Sequence, residues 1–150
     1  MRLERSTIQD HHFLELVKAL DASLKITDGA DHAFYNQFNG TDSLDAVIVA
    51  YSGTTAVGCG AFRRKEQRTV EIKRVYTLPE YRQQGIARAI LAALEAWAVE
   101  LGHTECILET GVNQLEALAF YPKVGYVPIP RFPPYEKTEN SSCFGKKMYI

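Results

Sequence analysis

The feature that most constrains this chain is the hexapeptide Arg82-Gln83-Gln84-Gly85-Ile86-Ala87, which joins a strand-like segment to a helix-like segment. The first N–H groups of a helix have no partner within the helix, and the helix dipole adds positive potential there. Gly85 lets the backbone approach an anion closely because it has no Cβ, and Arg82 adds a bidentate phosphate donor. The hexapeptide therefore predicts a phosphate-binding turn between a strand and a helix.

Two common nucleotide-binding motifs do not match this turn. The triphosphate P-loop carries glycine, lysine and a hydroxyl residue in succession, and the hexapeptide has no such signature. The dinucleotide fingerprint has several glycines, whereas Gly85 is the single glycine here. Taken alone, the turn is also compatible with an ordinary connection between a strand and a helix.

The residues on either side of the turn favour the functional interpretation. Glu71 lies on the strand-like run before the turn, and Ile107-Leu108-Glu109-Thr110 forms a strand-like run after it. A helical segment then places Ala117 four residues before Tyr121, and Gly125-Tyr126 follows. In order and spacing, about residues 46 to 127 resemble the GCN5-related N-acetyltransferase (GNAT) family. The resemblance implies an enzyme that transfers an acetyl group from acetyl-CoA to an amine.

Composition and charge narrow the class of protein further. A chain of 150 residues suits one domain, 1–150, with a single core. The net charge of -1 gives no reason to expect a nucleic acid or an anionic membrane surface as a partner. The longest apolar run, Ala46 to Tyr51, is too short for a membrane span, and the N-terminus has no apolar secretory region. With three widely spaced cysteines, these features predict a cytoplasmic protein.

The hydrophobic pattern predicts the element order β-α-α-β-β-β-α-β-α-β-β. Six of these seven strands are expected at 2–8, 44–52, 56–63, 69–78, 105–110 and 143–149. The first helix is expected to end at about Lys25, and further helices are expected at 32–38, from about Gln84 to 101 and at 114–123. Thr7 and Asp10 indicate a capping box for the first helix. The prolines between 128 and 134 predict a loop, because proline does not fit a central strand.

This order predicts an α/β (α+β) fold with a mixed central sheet and helices on both faces, which the GNAT resemblance also implies. In that family two neighbouring parallel strands splay apart and the pantetheine arm of CoA enters the gap. Here those strands would be Thr69–Leu78 and Glu105–Thr110. Their unpaired backbone groups would bond the two amides of pantetheine.

The resemblance also implies a set of cofactor-binding residues. The backbone amides of Val75 and Thr77 are expected along the thioester and the pantetheine arm, and the hexapeptide is expected around the pyrophosphate. The full set is Val75, Tyr76, Thr77, Arg82, Gln83, Gln84, Gly85, Ile86, Ala87, Arg88, Asn113, Gln114, Ala117 and Tyr121. Gln83 and Ala87 stand where the family often has glycine, and the loose motif tolerates both.

Two assignments in this set have open alternatives. Gln114 stands where the family often has an asparagine that touches the cofactor, so Gln114 and the adjacent Asn113 are both candidates. Arg88 is a candidate for the adenosine phosphate, and a solvated helix face is the alternative.

Acetyl transfer requires a neutral amine and a proton for the departing thiolate. Because an alkyl amine has a pKa of about 10.4, a carboxylate base helps at neutral pH. Tyr121 is predicted to be the acid, since the family commonly has a tyrosine near the CoA sulfur; a core aromatic is the alternative. Glu71 is predicted to be the base, and the alternative is a carboxylate neutralised by Lys73 on the same strand face.

The acceptor site is expected in segments 32–39 and 131–135, which build it in this fold and combine aromatic with polar side chains. The predicted contacts are Tyr35, Phe38, Arg131 and Tyr135. Candidates to hold an acceptor carboxylate are Arg131, Arg63 and Arg64. These features favour a small-molecule amine as the acceptor, and an amino acid is one candidate.

Two other functions stay open at this point: acetylation of a protein N-terminus or lysine, and a non-catalytic CoA-binding domain. The histidines and cysteines have no metal-ligand spacing, so acetyl-CoA is the expected cosubstrate and no metal is expected. A homodimer is compatible with the fold, although no particular residue indicates one.

Overall fold

The computed structural model describes residues 1–29 and 43–148, in which seven strands form one sheet. The strands are β1 (Arg2–Ser6), β2 (Ala46–Ser52), β3 (Thr55–Glu66), β4 (Thr69–Thr77), β5 (Glu105–Gly111), β6 (Val127–Ile129) and β7 (Ser141–Lys147). The helices are α1 (His11–Asp28), α2 (Ile86–Glu100) and α3 (Leu115–Lys123), with a short 3-10 helix at Pro79–Tyr81. The helix expected at 32–38, with Tyr35 and Phe38, lies outside the described residues.

The sheet has the strand order β1-β2-β3-β4-β5-β7-β6, and its one parallel pair among the described strands is β4 with β5. Helix α1 packs on one face through Phe13 and Leu16, beside Val49 of β2. Helices α2 and α3 pack on the opposite face, where Leu94 and Tyr121 belong to one apolar core. The mixed sheet with helices on both faces is therefore confirmed.

The parallel strands β4 and β5 are paired only at their first residues. Thr69, Val70 and Glu71 lie opposite Glu105, Cys106 and Ile107, whereas β4 continues to Thr77 and β5 to Gly111. Beyond Glu71 the two strands diverge, which leaves backbone groups on both strands without a ladder partner. The predicted splay is confirmed, and it opens a gap near the middle of the sheet.

A β-bulge in β4 lies beside this gap. Cys59 pairs with Tyr76 but Ala61 pairs with Lys73, so β4 carries one extra residue there, and Arg74 has a φ of 61°. A bulge bends the strand and changes where side chains point. Arg74 and the Val75 amide consequently lie at the edge of the gap rather than in a regular ladder.

Helix α2 packs directly on β3 because Gly58 and Gly60 of that strand have no side chains to separate the two elements. A Cβ built at Gly60 would lie 2.6 Å from Cγ2 of Ile90 and 3.0 Å from Cδ1 of Leu94. This close packing fixes the first turn of α2 relative to the end of β4, and so fixes the hexapeptide between them.

Several local predictions were wrong. Asp10, rather than Thr7, is the N-cap of α1, and its carboxylate accepts the N–H of Phe13 at 3.1 Å. Helix α1 continues past Lys25 to Asp28. Pro128 lies in the strand β6 instead of a loop; this is an edge strand, where the missing N–H of proline is tolerated.

Candidate active site

The hexapeptide forms a turn whose backbone is shaped for an anion. Gln83 and Gly85 both have left-handed backbone conformations, with φ of 63° and 80°, and α2 begins at Ile86 rather than at about Gln84. Gly85 is the N-cap of α2, and no side chain of a described residue caps this helix. The N–H groups of Ile86, Ala87 and Arg88 thus have no partner within the helix, which is the arrangement that binds phosphate.

The Arg82 side chain connects this turn to the end of β4 and to α3. Its Nε donates to the Thr77 carbonyl at 3.0 Å, and its Nη1 lies 3.8 Å from a carboxylate oxygen of Glu116 on α3. The Thr77 hydroxyl is buried and has no hydrogen-bond partner among the residues that the structure describes. The Tyr76 side chain packs in the core beneath α1, so the backbone of this residue is the part that would be available to a cofactor.

A cleft with a volume of about 150 Å³ occupies the gap between the splayed strands. Its walls come from α1, β4, β5, α3 and the segment after β6. The lining residues are Leu20, Leu24, Glu71, Ile72, Lys73, Arg74, Val75, Leu108, Glu109, Thr110, Gly111, Gln114, Ala117, Tyr121 and Tyr135. Six residues predicted for the site are thereby brought together: Glu71, Val75, Gln114, Ala117, Tyr121 and Tyr135.

Other predicted residues lie outside the cleft lining. Asn113 is exposed beside the start of α3, whereas Gln114 lines the cleft, so the geometry favours Gln114 of the two candidates. Arg131 is exposed and does not line the cleft. Arg88 is exposed in the first turn of α2.

Tyr121 lies near the end of α3, with only 8% of its surface exposed. Its ring contacts Tyr126 edge-on at a centroid distance of 5.7 Å and Phe144 at 6.2 Å. Burial, reinforced by the charge of Glu109, raises the pKa of Tyr121 well above its ordinary value. The hydroxyl therefore keeps its proton at neutral pH, as a proton donor must.

Glu71 is buried among cations, with 2% of its surface exposed. Arg63 donates from Nε to Oε1 at 3.1 Å, and the Lys65 and Lys73 ammonium groups lie 4.0 and 3.9 Å from the carboxylate. The Tyr135 hydroxyl donates to Oε2 at 3.4 Å. The predicted pairing of Glu71 with Lys73 is present, but Arg63 is the nearer partner.

Two of the cations beside Glu71, Lys65 and Lys73, are partly removed from water. Burial lowers the pKa of Lys73 and of Lys65, and the charge of Glu71 opposes the shift in both cases. Lys65 also donates to the carbonyl of Pro133, which ties the segment after β6 to β3. Neither the position of Lys65 beside Glu71 nor its hydrogen bond to the Pro133 carbonyl was predicted from the sequence.

The segment after β6 brings Tyr135 into the cleft. Tyr135 is buried, and Phe132 packs edge-on against its ring at 5.5 Å. Burial, with the nearby charge of Glu71, raises the pKa of Tyr135. Tyr135 therefore acts as a neutral hydrogen-bond donor at the wall of the cleft.

Arg74 and Asp21 form an ion pair that sequence reasoning missed. Arg74 Nη1 lies 2.6 Å from Oδ1 of Asp21 on α1, and the arginine side chain is 5% exposed. The Nε of Arg74 is buried and has no hydrogen-bond partner within residues 1–29 and 43–148. The two residues are 53 positions apart, so no local pattern could have indicated the contact.

A second polar network holds the turn that follows α3. The Tyr126 hydroxyl donates to Oε2 of Glu95 at 2.9 Å, and Lys146 donates to Oε1 of Glu95 and to the Val124 carbonyl, each at 3.0 Å. Tyr126 packs on Tyr121, so this network fixes the position of the Tyr121 ring.

Two further findings concern residues 1–29 and 43–148 alone. No group of three or more histidine, cysteine or acidic side chains is arranged to hold a metal ion there. Nor does that part of the chain contain a helix with the length and apolar character needed to cross a membrane.

Comparison with known proteins agrees with this architecture. A crystal structure from Klebsiella pneumoniae, assigned as an acyl-CoA N-acyltransferase, matches with a TM-score of 0.83 and 31% identity over 99% of this chain and 97% of that chain. The PaiA N-acetyltransferase of Thermoplasma acidophilum, solved with coenzyme A, matches with a TM-score of 0.71 and 19% identity over 98% of this chain and 99% of the other.

Sequence relatives point the same way. An IAA acetyltransferase from Azospirillum brasilense is 37% identical over 89 residues, which is 59% of this chain. The chain spans 58% of the length of that relative. The model of the acetyltransferase (GNAT) family matches residues 13–126, and the chain therefore belongs to the acetyltransferase (GNAT) family.

Proposed function

We propose that this protein is a cytoplasmic acetyl-CoA-dependent N-acetyltransferase, that residues 1–150 are one catalytic domain, and that the acceptor is a small-molecule amine such as an amino acid. One observation carries the proposal. The cleft between the splayed strands has Tyr121 in one wall and Glu71 with Lys73 in another, and the turn that leads into α2 follows the end of β4.

The turn fits the pyrophosphate of CoA. Three uncapped amides at the start of α2 and the left-handed Gly85 offer backbone donors, and Arg82 adds positive charge. The PaiA structure contains coenzyme A, which supports the same ligand class here. When bound, acetyl-CoA supplies the activated acetyl group; the residues of this chain orient it and move protons.

Tyr121 is proposed to protonate the departing thiolate. It lies in the same helix as Ala117, and Gln114 is the N-cap of that helix, so a CoA arm that follows the cleft wall would pass these residues. The hydroxyl carries its proton at neutral pH, and burial, which raises its pKa, holds that proton more tightly than in an exposed tyrosine. A thiol pKa of about 8.5 makes the thiolate an acceptable leaving group, so one acid suffices.

The Glu71 cluster is proposed to prepare the acceptor amine. Glu71 is proposed to take the proton directly or through water. The surrounding cations weaken Glu71 as a base, but they also favour the neutral form of an amine over the ammonium form, which increases the fraction of acceptor that can attack the thioester. The mechanism is direct transfer in a ternary complex, without an acyl-enzyme.

The shape of the acceptor side favours a small molecule over a peptide. The segment from 131 to 135 lies against the cleft, with Tyr135 buried and Pro133 tied to Lys65. A peptide acceptor requires an open groove, which this segment narrows.

The test is thiol release from acetyl-CoA with pooled amino acids, polyamines, aminoglycosides and short peptides, with Tyr121→Phe as the control. We expect release with one class of small amine and its loss in the control. Release with long peptides but not with free amines would favour the protein acetyltransferase, and binding of acetyl-CoA without any release would favour the non-catalytic domain.

A further inference from the structure

The bulge in β4 places two consecutive residues, Arg74 and Val75, outside the ladders of the sheet. Neither has a partner residue in the β3–β4 register, and β5 has already diverged beyond Glu71. Arg74 also has a left-handed backbone, with a φ of 61°, which is unfavourable for a residue with a Cβ. Because a strained conformation persists only when its surroundings hold it, contacts other than the ladders must maintain this one.

Two contacts hold Arg74, one through its side chain and one through its carbonyl group. Nη1 lies 2.6 Å from Oδ1 of Asp21 on α1, and the arginine side chain is 5% exposed. The Cys59 thiol on β3 donates to the Arg74 carbonyl oxygen at 3.3 Å. Burial raises the pKa of Cys59 to about 12, so the thiol keeps the proton that this hydrogen bond requires. Arg74 is thus connected to α1 and to β3 at the same time.

The carbonyl contact determines the direction of the next N–H group. In a planar trans peptide the C=O of Arg74 and the N–H of Val75 point in opposite directions. Since the carbonyl oxygen faces Cys59 on β3, the Val75 N–H points away from that residue. The neighbour of β4 on the side away from β3 is β5, and both Arg74 and Val75 line the cleft between the two strands. The Val75 N–H is therefore a donor on the cleft side of β4.

The side-chain contact holds the bulge from the side of α1. The Arg74 charge is buried, and among residues 1–29 and 43–148 Asp21 provides the one carboxylate within 4.0 Å of it. Without Asp21 the guanidinium would be a buried cation with no counter-charge, which favours its movement toward water. Because the side chain starts at the strained residue, this movement would let the backbone leave its left-handed conformation and would rotate the Val75 N–H.

We infer that the Arg74–Asp21 ion pair positions a hydrogen-bond donor for acetyl transfer: it holds the bulge so that the Val75 N–H donates to the carbonyl oxygen of the acetyl thioester. The inference rests on the proposed function. When the amine nitrogen bonds to the carbonyl carbon, negative charge develops on this oxygen, and a fixed donor stabilises it. The C–S bond then breaks with its electron pair on sulfur, Tyr121 gives a proton to the sulfur, and the amine proton goes to Glu71. Arg74 and Asp21 are positioning residues, because they act through the backbone of Val75.

The first readout is the carbonyl stretch of bound acetyl-CoA that carries heavy carbon in the acetyl carbonyl, measured by isotope-edited infrared spectroscopy. A hydrogen bond to the oxygen weakens the C=O bond and lowers its stretching frequency. We expect a lower frequency in the wild-type complex than in the Asp21→Asn complex. This measurement needs no acceptor amine, so its result is independent of whether the correct acceptor has been found.

The second readout is turnover with an acceptor amine. Asp21→Asn should lower kcat about 100-fold, the order expected when a contact is misplaced by about 1 Å. The Kd for acetyl-CoA should change little, because the contact strengthens mainly in the transition state. Asp21→Glu keeps the charge and should retain the low frequency and most of kcat.

Three other variants separate the ion pair from the strain and from general stability. Arg74→Gly removes the backbone strain together with the pair, so we expect the same losses as in Asp21→Asn. Leu16→Ala loosens the packing of α1 on the sheet, and Glu100→Gln breaks the exposed pair with Arg5 at 2.7 Å. Both should leave the carbonyl band and kcat unchanged, with all variants assayed well below their Tm.

Three outcomes would overturn the inference. The wild-type band and kcat in Asp21→Asn would show that the pair positions nothing, and wild-type values in Arg74→Gly would show the same. Equal losses in Leu16→Ala would reduce the effect to the stability of α1. The expected shift of the band without acetylation of any amine would support the hydrogen bond from Val75 and would instead refute the proposed function.

Discussion

Replacement of Gly85 by alanine isolates the contribution of the backbone at the phosphate turn. Gly85 has a φ of 80°, and a Cβ built on it lies more than 4 Å from every atom of the described part of the chain, its chain neighbours aside. The substitution therefore causes no clash; its cost is the left-handed backbone, about 1–2 kcal/mol for a residue with a Cβ. The chain can relieve this strain by rotating the peptide groups of the turn, which moves the amides away from a pyrophosphate.

Gly102 provides the matched control for this change. It follows the other end of α2 and has a φ of 91°. A Cβ built on Gly102 likewise has no described atom within 4 Å, its chain neighbours aside. Gly102→Ala should cost about the same 1–2 kcal/mol of stability. It lies roughly 20 Å from the turn, as a 15-residue helix spans that distance.

The assay is isothermal titration of each variant with acetyl-CoA, together with thermal unfolding. Both variants should lose a similar amount of stability, about 2–8 °C in Tm for a chain of this size. We expect the Kd for acetyl-CoA to rise about tenfold in Gly85→Ala, which corresponds to about 1.4 kcal/mol, and to stay unchanged in Gly102→Ala. An unchanged Kd in Gly85→Ala, or an equal rise in both variants, would refute the assignment of the turn.

Three further predictions concern the catalytic groups and the core. Tyr121→Phe should lower kcat about 100-fold or more, the usual contribution of a positioned acid, with the KM for acetyl-CoA unchanged; wild-type turnover would exclude the acid. Glu71→Gln should lower kcat/KM and alter its pH profile, and an unchanged profile would exclude Glu71 as the base. Gly60→Ala should reduce the free energy of unfolding by about 1–3 kcal/mol in urea, because the new Cβ would overlap Ile90; full stability would mean that α2 can shift away from β3.

Local patterns predicted most of the fold. The apolar repeat in Ile86–Glu100 and the glycine before it located α2 to within about two residues, because the period of a helix and the freedom of glycine are local properties. The start of α1 was assigned wrongly, since Thr7 and Asp10 both carry an oxygen that can cap a helix. Only the three-dimensional structure shows that Asp10 receives the N–H of Phe13.

The register of β3 against β4 could not be predicted, and it decides the composition of the site. Glu66 pairs with Thr69 but Arg64 pairs with Val70, so a bulge at Lys65 moves Arg63 opposite Glu71. Without that one extra residue Arg64 would stand there instead. A shift of one residue moves a side chain to the other face of the sheet, and the sequence contains no glycine at this position to indicate it.

Contacts between distant segments were also beyond the reach of sequence patterns. Arg74 meets Asp21, and Tyr126 meets Glu95, because the fold packs separate helices and strands together. The roles of Glu71 and Tyr121 were predicted instead from the family resemblance. A resemblance indicates where such residues stand in the sequence, but it does not show which side chains surround them in the structure. The cations around Glu71 were visible only in part, through Lys73.

The most direct test of the central claim follows an isotope-labelled acetyl group from acetyl-CoA to the acceptor by mass spectrometry. We predict that the label appears on the amine nitrogen of a small acceptor in the same amount as the CoA thiol released, and that Tyr121→Phe nearly abolishes both. Binding of acetyl-CoA without transfer of the label to any small amine would contradict the account.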